Sequence, residues 1–188
     1  MVFSSIVFLL YFLPLVFLVY YAFSFSRRLQ NIWLLAASLI FYAWGEPIYV
    51  LIMLASIFMN WIFGLLLLRF PKEERVRKLI LFSSCVFNLG LLGVFKYLGF
   101  IVETVNGIME RAFLPYPGIS LPIGISFFTF QALSYVIDVY EEKTEAQRNL
   151  LDIALYISFF PQLIAGPIVR YSTIAEQIRN RRSDWDGI

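Results

Sequence analysis

Residues 47–68 read PIYVLIMLASIFMNWIFGLLLL, 22 positions without a charge. A bilayer core is about 30 Å thick, and a helix rising about 1.5 Å per residue crosses it in roughly 17–25 apolar residues. This stretch is long enough to span. It must do so as a helix, because lipid offers the backbone no hydrogen-bond partners. On either side, the same test finds uncharged runs at 1–26, 29–45, 79–95, 112–137 and 153–169. All are of spanning length.

Composition points the same way. The chain has 188 residues, of which 60% are hydrophobic, 19% aromatic and 15% charged. Soluble domains average about 45–50% apolar and about 25% charged. Twenty Phe, eleven Tyr and four Trp are more than a soluble core of this size can hide. Disorder needs low hydrophobicity and high charge, which this chain lacks. A single cysteine, Cys85, excludes a disulfide framework. There is no histidine, so no histidine-based triad can be built from these residues. No Walker loop, GxGxxG or metal-ligand cluster is present. A net charge of +2, spread over loops, gives nucleic-acid binding no support.

The expected fold class is all-α: a polytopic membrane protein of about five to six transmembrane or re-entrant helices in one membrane domain. Residues 1–98 are read as four spanning helices. The first run lacks a basic n-region and ends in Arg27-Arg28 rather than a cleavage site. It reads as a retained span, not a signal peptide. Gly45-Glu46-Pro47 is a turn, with Trp44 and Tyr49 placed as interfacial anchors. Arg69 to Lys78 holds five basic residues and two acids and reads as a water-facing loop. The fourth span is expected to end near Lys96, whose stem can snorkel. Residues 99–118 read as an interfacial segment, with a short helix at 103–113 and a turn at Leu114–Gly118. Residues 119–171 carry Pro122, Gly124, Pro161, Gly166 and Pro167 and read as broken or re-entrant helices. Residues 172–188 form a basic tail.

Orientation follows from the Lys/Arg bias. With four spans, the loops at 27–28 and 69–78 share a side and hold seven basic residues, against two opposite. That side is expected to be cytoplasmic and the N-terminus extracytoplasmic. If both later segments cross, the basic residues divide 9 to 6; if one crosses, they divide 13 to 2 or 11 to 4. The charge count therefore favours a re-entrant segment.

Polar groups at membrane depth are the default functional candidates. Asp138 ends a 26-residue uncharged run, beside Ser134 and Tyr135. It can orient a substrate or a catalytic group, or it can simply end a helix at the interface. Gln131 and Gln162 can line a polar channel or hydrogen-bond between helices. Asn60 and Asn88 read as interhelical glue. Cys85 reads as a small packing residue. Arg148 and Asp152 stand four apart and can pair at a helix start. The run Glu141–Arg148 reads as a solvated loop.

One stretch is more specific than composition. Residues 121–140 read LPIGISFFTFQALSYVIDVY, and EEKTEAQRNLLDIALYISFFPQLIAGPIVRY follows to Tyr171. These motifs, with Phe41-Tyr42-Ala43-Trp44-Gly45 and Phe3-Ser4-Ser5, resemble the membrane-bound O-acyltransferase family. The bacterial branch that O-acetylates alginate is the most similar. The resemblance implies helices and re-entrant elements around a polar tunnel, and acyl transfer onto a hydroxyl. It implies acetyl-CoA as the acyl donor, with no bound cofactor and no metal. The implied partners are the lipid bilayer, an extracytoplasmic acetyltransferase and a polysaccharide acceptor, with no nucleic acid. D-alanyl transfer is a family alternative to acetyl transfer. The implied place is the bacterial inner membrane, multi-pass. The family's catalytic histidine has no match here, so no catalytic residue is assigned. The expectation is an N-terminal portion of a longer acyltransferase, inactive alone. Gln131, Ser134, Asp138 and Gln162 are the expected tunnel-lining residues. The other readings are a non-catalytic membrane scaffold, or a transporter subunit built on broken helices.

Overall fold

The computed structural model describes residues 5–108, 121–166 and 169–180, and these contain helices and no strand. A π turn at Phe8–Phe12 leads into α1 (Leu13–Ala22), followed by α2 (Arg27–Gly45) and α3 (Tyr49–Arg69). Next, α4 (Glu74–Leu92) runs through a second π turn, Gly93–Tyr97, into α5 (Leu98–Ile108). Then come α6 (Ile125–Tyr140), α7 (Leu150–Ser158), α8 (Phe160–Ala165) and α9 (Tyr171–Asn180). The first π turn stands just before Pro14. Proline has no N–H for the ladder and crowds the preceding turn. A widened turn accommodates that misfit without a break.

Among the described residues, two helices are long and apolar enough to cross a bilayer: Tyr49–Arg69, and the unbroken Glu74–Ile108 of 35 residues. The second is about 52 Å long. The backbone passes Lys96 as a π turn inside this helix, and Lys96 Nζ sits 5.5 Å from the Tyr97 ring centroid. Residues 103–108 continue the same helix. The remainder of the expected interfacial helix, the Leu114–Gly118 turn and residues 181–188 lie outside the described residues.

The helix α4 is built inside out relative to a soluble helix. Leu79, Phe82, Val86 and Leu89 form its outer stripe and are 51–66% exposed. Its inner face, one residue every helical turn, is Ile80, Ser84, Asn88 and Leu92, all buried. A soluble helix turns its polar stripe outward. Here serine and asparagine face in and leucine and phenylalanine face out, as a lipid solvent requires.

The polar inner face is fully paired. Asn60 of α3 and Asn88 of α4 exchange amide hydrogen bonds: Asn60 Nδ2 donates to Asn88 Oδ1 at 3.1 Å, and Asn88 Nδ2 donates to Asn60 Oδ1 at 2.8 Å. Each also donates to the carbonyl one turn back, Ser56 O or Ser84 O. These two asparagines are the interhelical glue that their positions suggest.

Helix α6 is the centre, packed against α3 and α4 on one side and against α7, α8 and α9 on the other. It begins at Gly124, whose φ of 77° is left-handed, a conformation that suits glycine. Beside its far end, Gly64 of α3 lets Tyr135 come close: a Cβ there would lie 2.3 Å from the Tyr135 hydroxyl. Arg77 then ties α4 to the end of α6. Its guanidinium donates to Tyr140 O, pairs with Glu142 Oε1 at 3.1 Å and lies over the Tyr140 ring. Two further pairs, Lys78–Glu74 and Lys143–Glu141, lie on the surface.

The segment after α6 leaves and returns at one end of that helix. Near its start, Gln147 N donates to the Tyr135 hydroxyl at 3.1 Å. Next, α7 opens at Asn149, whose side chain caps Leu151 N. The chain breaks at Phe159, and Pro161 stands in the first turn of α8. There Phe160 N donates to Ser38 Oγ, in the middle of α2, and the Phe160 ring packs on Phe8, Phe12 and Phe41. Leu163 reaches Gly124, at the opposite end of α6. By Ser172 the chain is back beside Asp138, near the end where it left.

Candidate functional site

Three of the expected polar residues share one face of α6, because Gln131, Ser134 and Asp138 are spaced i, i+3 and i+7. That face looks onto the returning segment, where Gln131 and Asp138 find their partners. Gln131 Nε2 donates to Tyr156 O at 2.6 Å and to Gln162 Oε1 at 2.8 Å. A carbonyl can only accept, so Tyr156 O fixes which end of the Gln131 amide is nitrogen. That in turn presents Gln162 by its oxygen. The two glutamines, 31 residues apart in sequence, form one polar pair in which Gln131 is buried and Gln162 half-buried.

Ser134 is half-buried and lies near the Tyr156 hydroxyl. That hydroxyl donates to Val169 O at 2.7 Å. Asp138 is 2% exposed, and its Oδ2 accepts from Ser172 N at 3.1 Å. Ser172 is in the first turn of α9, where backbone N–H groups have no intrahelical acceptor. The Asp138 carboxylate therefore caps a helix other than its own. All four expected residues lie on one seam between α6 and the segment Leu150–Asn180.

Gln162 also borders a cavity of about 160 Å³, together with Leu34 of α2, Leu155, Tyr156, Phe159, and Ile174 and Ile178 of α9. A second, more apolar cavity lies between α1 and the break at Phe159. Leu34 and Phe159 line both. A mostly apolar slot with one glutamine at its side can hold a small apolar group and hydrogen-bond a single polar atom on it.

Sequence reading misses the aromatic part of this seam. Tyr171 packs edge-on against Tyr135 at 5.0 Å and against Tyr156 at 5.1 Å. All three are fully buried. Tyr135 and Tyr156 each stand within the motif, but nothing in their spacing joins them to Tyr171. Gln147 is missed as well, because the run Glu141–Arg148 reads as solvated. Its carbonyl accepts from Trp61 Nε1 and its side chain donates to Asp152, and it is 5% exposed. The acidic part of that run is at the surface. There the Lys143 ammonium, hydrogen-bonded to Glu141, holds that carboxyl below its usual range. Lys78 does the same to Glu74 at the start of α4. Among the described residues no group of acids, cysteines or histidines could hold a metal.

No family model matches the chain, and no solved structure does. Curated relatives do match along nearly its whole length. It is 41% identical over 189 residues to the alginate O-acetylase AlgI of Pseudomonas aeruginosa, covering 99% of this chain and 36% of that protein. It is 39% identical to AlgI of Pseudomonas syringae pv. tomato with the same coverage. A peptidoglycan O-acetyltransferase of Helicobacter pylori is 32% identical over 98% of the chain and 40% of that protein. The chain spans between a third and two fifths of the length of these relatives. Over 99% of its own length, then, the chain is similar in sequence to proteins named alginate O-acetylase.

Proposed function

We propose that this chain supplies the helices described above to a membrane enzyme that O-acetylates a cell-surface polysaccharide. The observation that carries the reading is the match, at 37–41% identity over 99% of the chain, to five proteins named alginate O-acetylase. The acceptor is a hydroxyl of alginate or a similar polymer, and the acyl donor is acetyl-CoA. The enzyme sits in the inner membrane with several spans, and the loop at 69–78 faces the cytoplasm. An extracytoplasmic acetyltransferase receives the acyl group or works beside this protein.

In this reading the seam of Gln131, Ser134, Asp138 and Gln162 borders the acyl path. The cavity beside Gln162 suits a short acyl group: its walls are apolar, and an amide stands where a carbonyl oxygen needs a donor. A sugar hydroxyl is a weak nucleophile, and a positioned base accelerates its attack roughly 10²–10⁴-fold. The 188 residues contain no histidine, and Asp138 is engaged with Ser172. We therefore assign the base to no residue of this chain, and expect these residues alone to be inactive.

A chimera tests this reading. Residues 1–188 replace the matched segment of Pseudomonas aeruginosa AlgI in cells lacking their own copy, and the acetyl content of secreted alginate is measured. The expected result is retained acetylation, which falls at least roughly tenfold with Gln131→Ala or Gln162→Ala. A chimera present in the membrane at normal level but yielding unacetylated alginate overturns it.

A further inference from the structure

Helix α9 forms one wall of the cavity beside Gln162, through Ile174 and Ile178. Side chains from two other helices hold it there, one at each end. Ser172 N, in its first turn, donates to Asp138 Oδ2 of α6 at 3.1 Å. Ile178 O, in its last turn, accepts from Asn31 Nδ2 of α2 at 3.1 Å. Both are backbone groups that a helix cannot satisfy internally. The negative charge at the first turn also suits the helix dipole.

Between these ties the sequence YSTIAEQIRN is amphipathic. Tyr171 and Ile178 are buried, Ile174 faces the cavity and Thr173 is exposed. Helix α9 packs chiefly against α6, its Tyr171 also meets Tyr156 of α7, and Asn31 of α2 bonds its last turn. Thr173 puts a polar position of this wall at the surface, and the two hydrogen bonds tie the wall at its ends.

We propose that α9 is a gate on the Gln162 cavity, and that Asp138 and Asn31 are positioning residues that latch it shut. Release of either latch lets the helix lift and exposes Leu155 and Gln162 to water. The cavity, the latches and the amphipathic wall carry this inference, and it does not need the acyl-transfer reading.

The test uses the full chain in detergent or membrane vesicles, with Cys85→Ser so that introduced thiols report alone. Leu155→Cys reports on the cavity interior, Thr173→Cys on the outer face of α9, and Ile57→Cys on a buried position of α3 away from the gate. A charged, water-soluble methanethiosulfonate reads the reaction rate at each. Asp138→Ala and Asn31→Ala are expected to raise the rate at position 155 roughly tenfold, with 57 and 173 unchanged. Asp138→Asn, which keeps an acceptor oxygen, restores most of the protection. Two results overturn the proposal. One is an unchanged rate at 155 in both latch variants. The other is an equal rise at 57, which would make Asp138 a support of the whole fold.

Discussion

At the scale of single residues, the strongest physical signal is polar side chains that pair deep among apolar ones. Asn60 and Asn88 are wholly buried and satisfy each other. Replacing one strands the other's amide, whereas replacing both with leucine removes the need for a partner. In detergent, Asn60→Leu and Asn88→Leu should each lower the melting temperature. The double variant should recover part of the loss, with a coupling of about 0.6–2 kcal/mol. Strictly additive losses would show that the pair contributes nothing jointly. This pairing is legible from sequence, since an asparagine inside a spanning run has few other fates. The Gln131–Gln162 pair is not. Both residues stand out in the sequence, but nothing within α6 shows that residue 162 comes back to meet it. That meeting depends on the break at Phe159 and on Tyr156 O holding the Gln131 amide. Asp138 is subtler still. The sequence does not decide its burial, and its use as a cap for α9 is invisible without the return of the chain.

At the scale of elements, the ends of helices decide the geometry more than their middles do. The apolar runs place α2, α3 and most of α4 correctly, because charge and turn residues bound them. They do not show that Gly93 sits in a π turn rather than at a helix end, since a π turn breaks no hydrogen-bonded path and needs no charge. The start of α6 is the clearest case of an end that matters. Gly124 adopts a left-handed φ of 77°, and a Cβ there would meet Leu163 Cγ at 3.3 Å. For an alanine the left-handed conformation costs about 1–2 kcal/mol, and its methyl group crowds α8. Asparagine tolerates the same φ better. Gly124→Ala should therefore lower thermal stability by at least that amount, and Gly124→Asn should lower it less. If the two variants melt alike, the strain at this φ is not what glycine relieves, and crowding against Leu163 outweighs it.

At the scale of the whole molecule, the chain after α6 makes a definite topological claim. Gln147 is tied to Tyr135 and Ser172 to Asp138, so the segment between them starts and finishes beside the same half of α6. That half lies next to the start of α4, through Arg77 and Tyr140 O. The other end of α6 meets Leu163, the deepest point of the excursion. The expectation is that a segment so tied enters and leaves on one side of a membrane. The basic loop at 69–78, with its excess of Lys and Arg, is expected on that same side, and by the positive-inside rule that side is expected to be cytoplasmic. Single cysteines in a Cys85→Ser background can check this in intact cells. Lys72→Cys, Glu145→Cys and Thr173→Cys stand at exposed positions expected to face the cytoplasm, and Pro47→Cys at an exposed turn on the opposite side. A membrane-impermeant thiol reagent applied outside should label position 47 alone. The other three should label only after the membrane is opened. Labelling of position 173 together with 47 would mean that the segment crosses fully. The ties at Gln147 and Ser172 would then have to sit on opposite faces of the bilayer. Their anchors on α6, Tyr135 and Asp138, are less than one helical turn apart, about 4.5 Å along the axis, against a hydrocarbon core of about 30 Å.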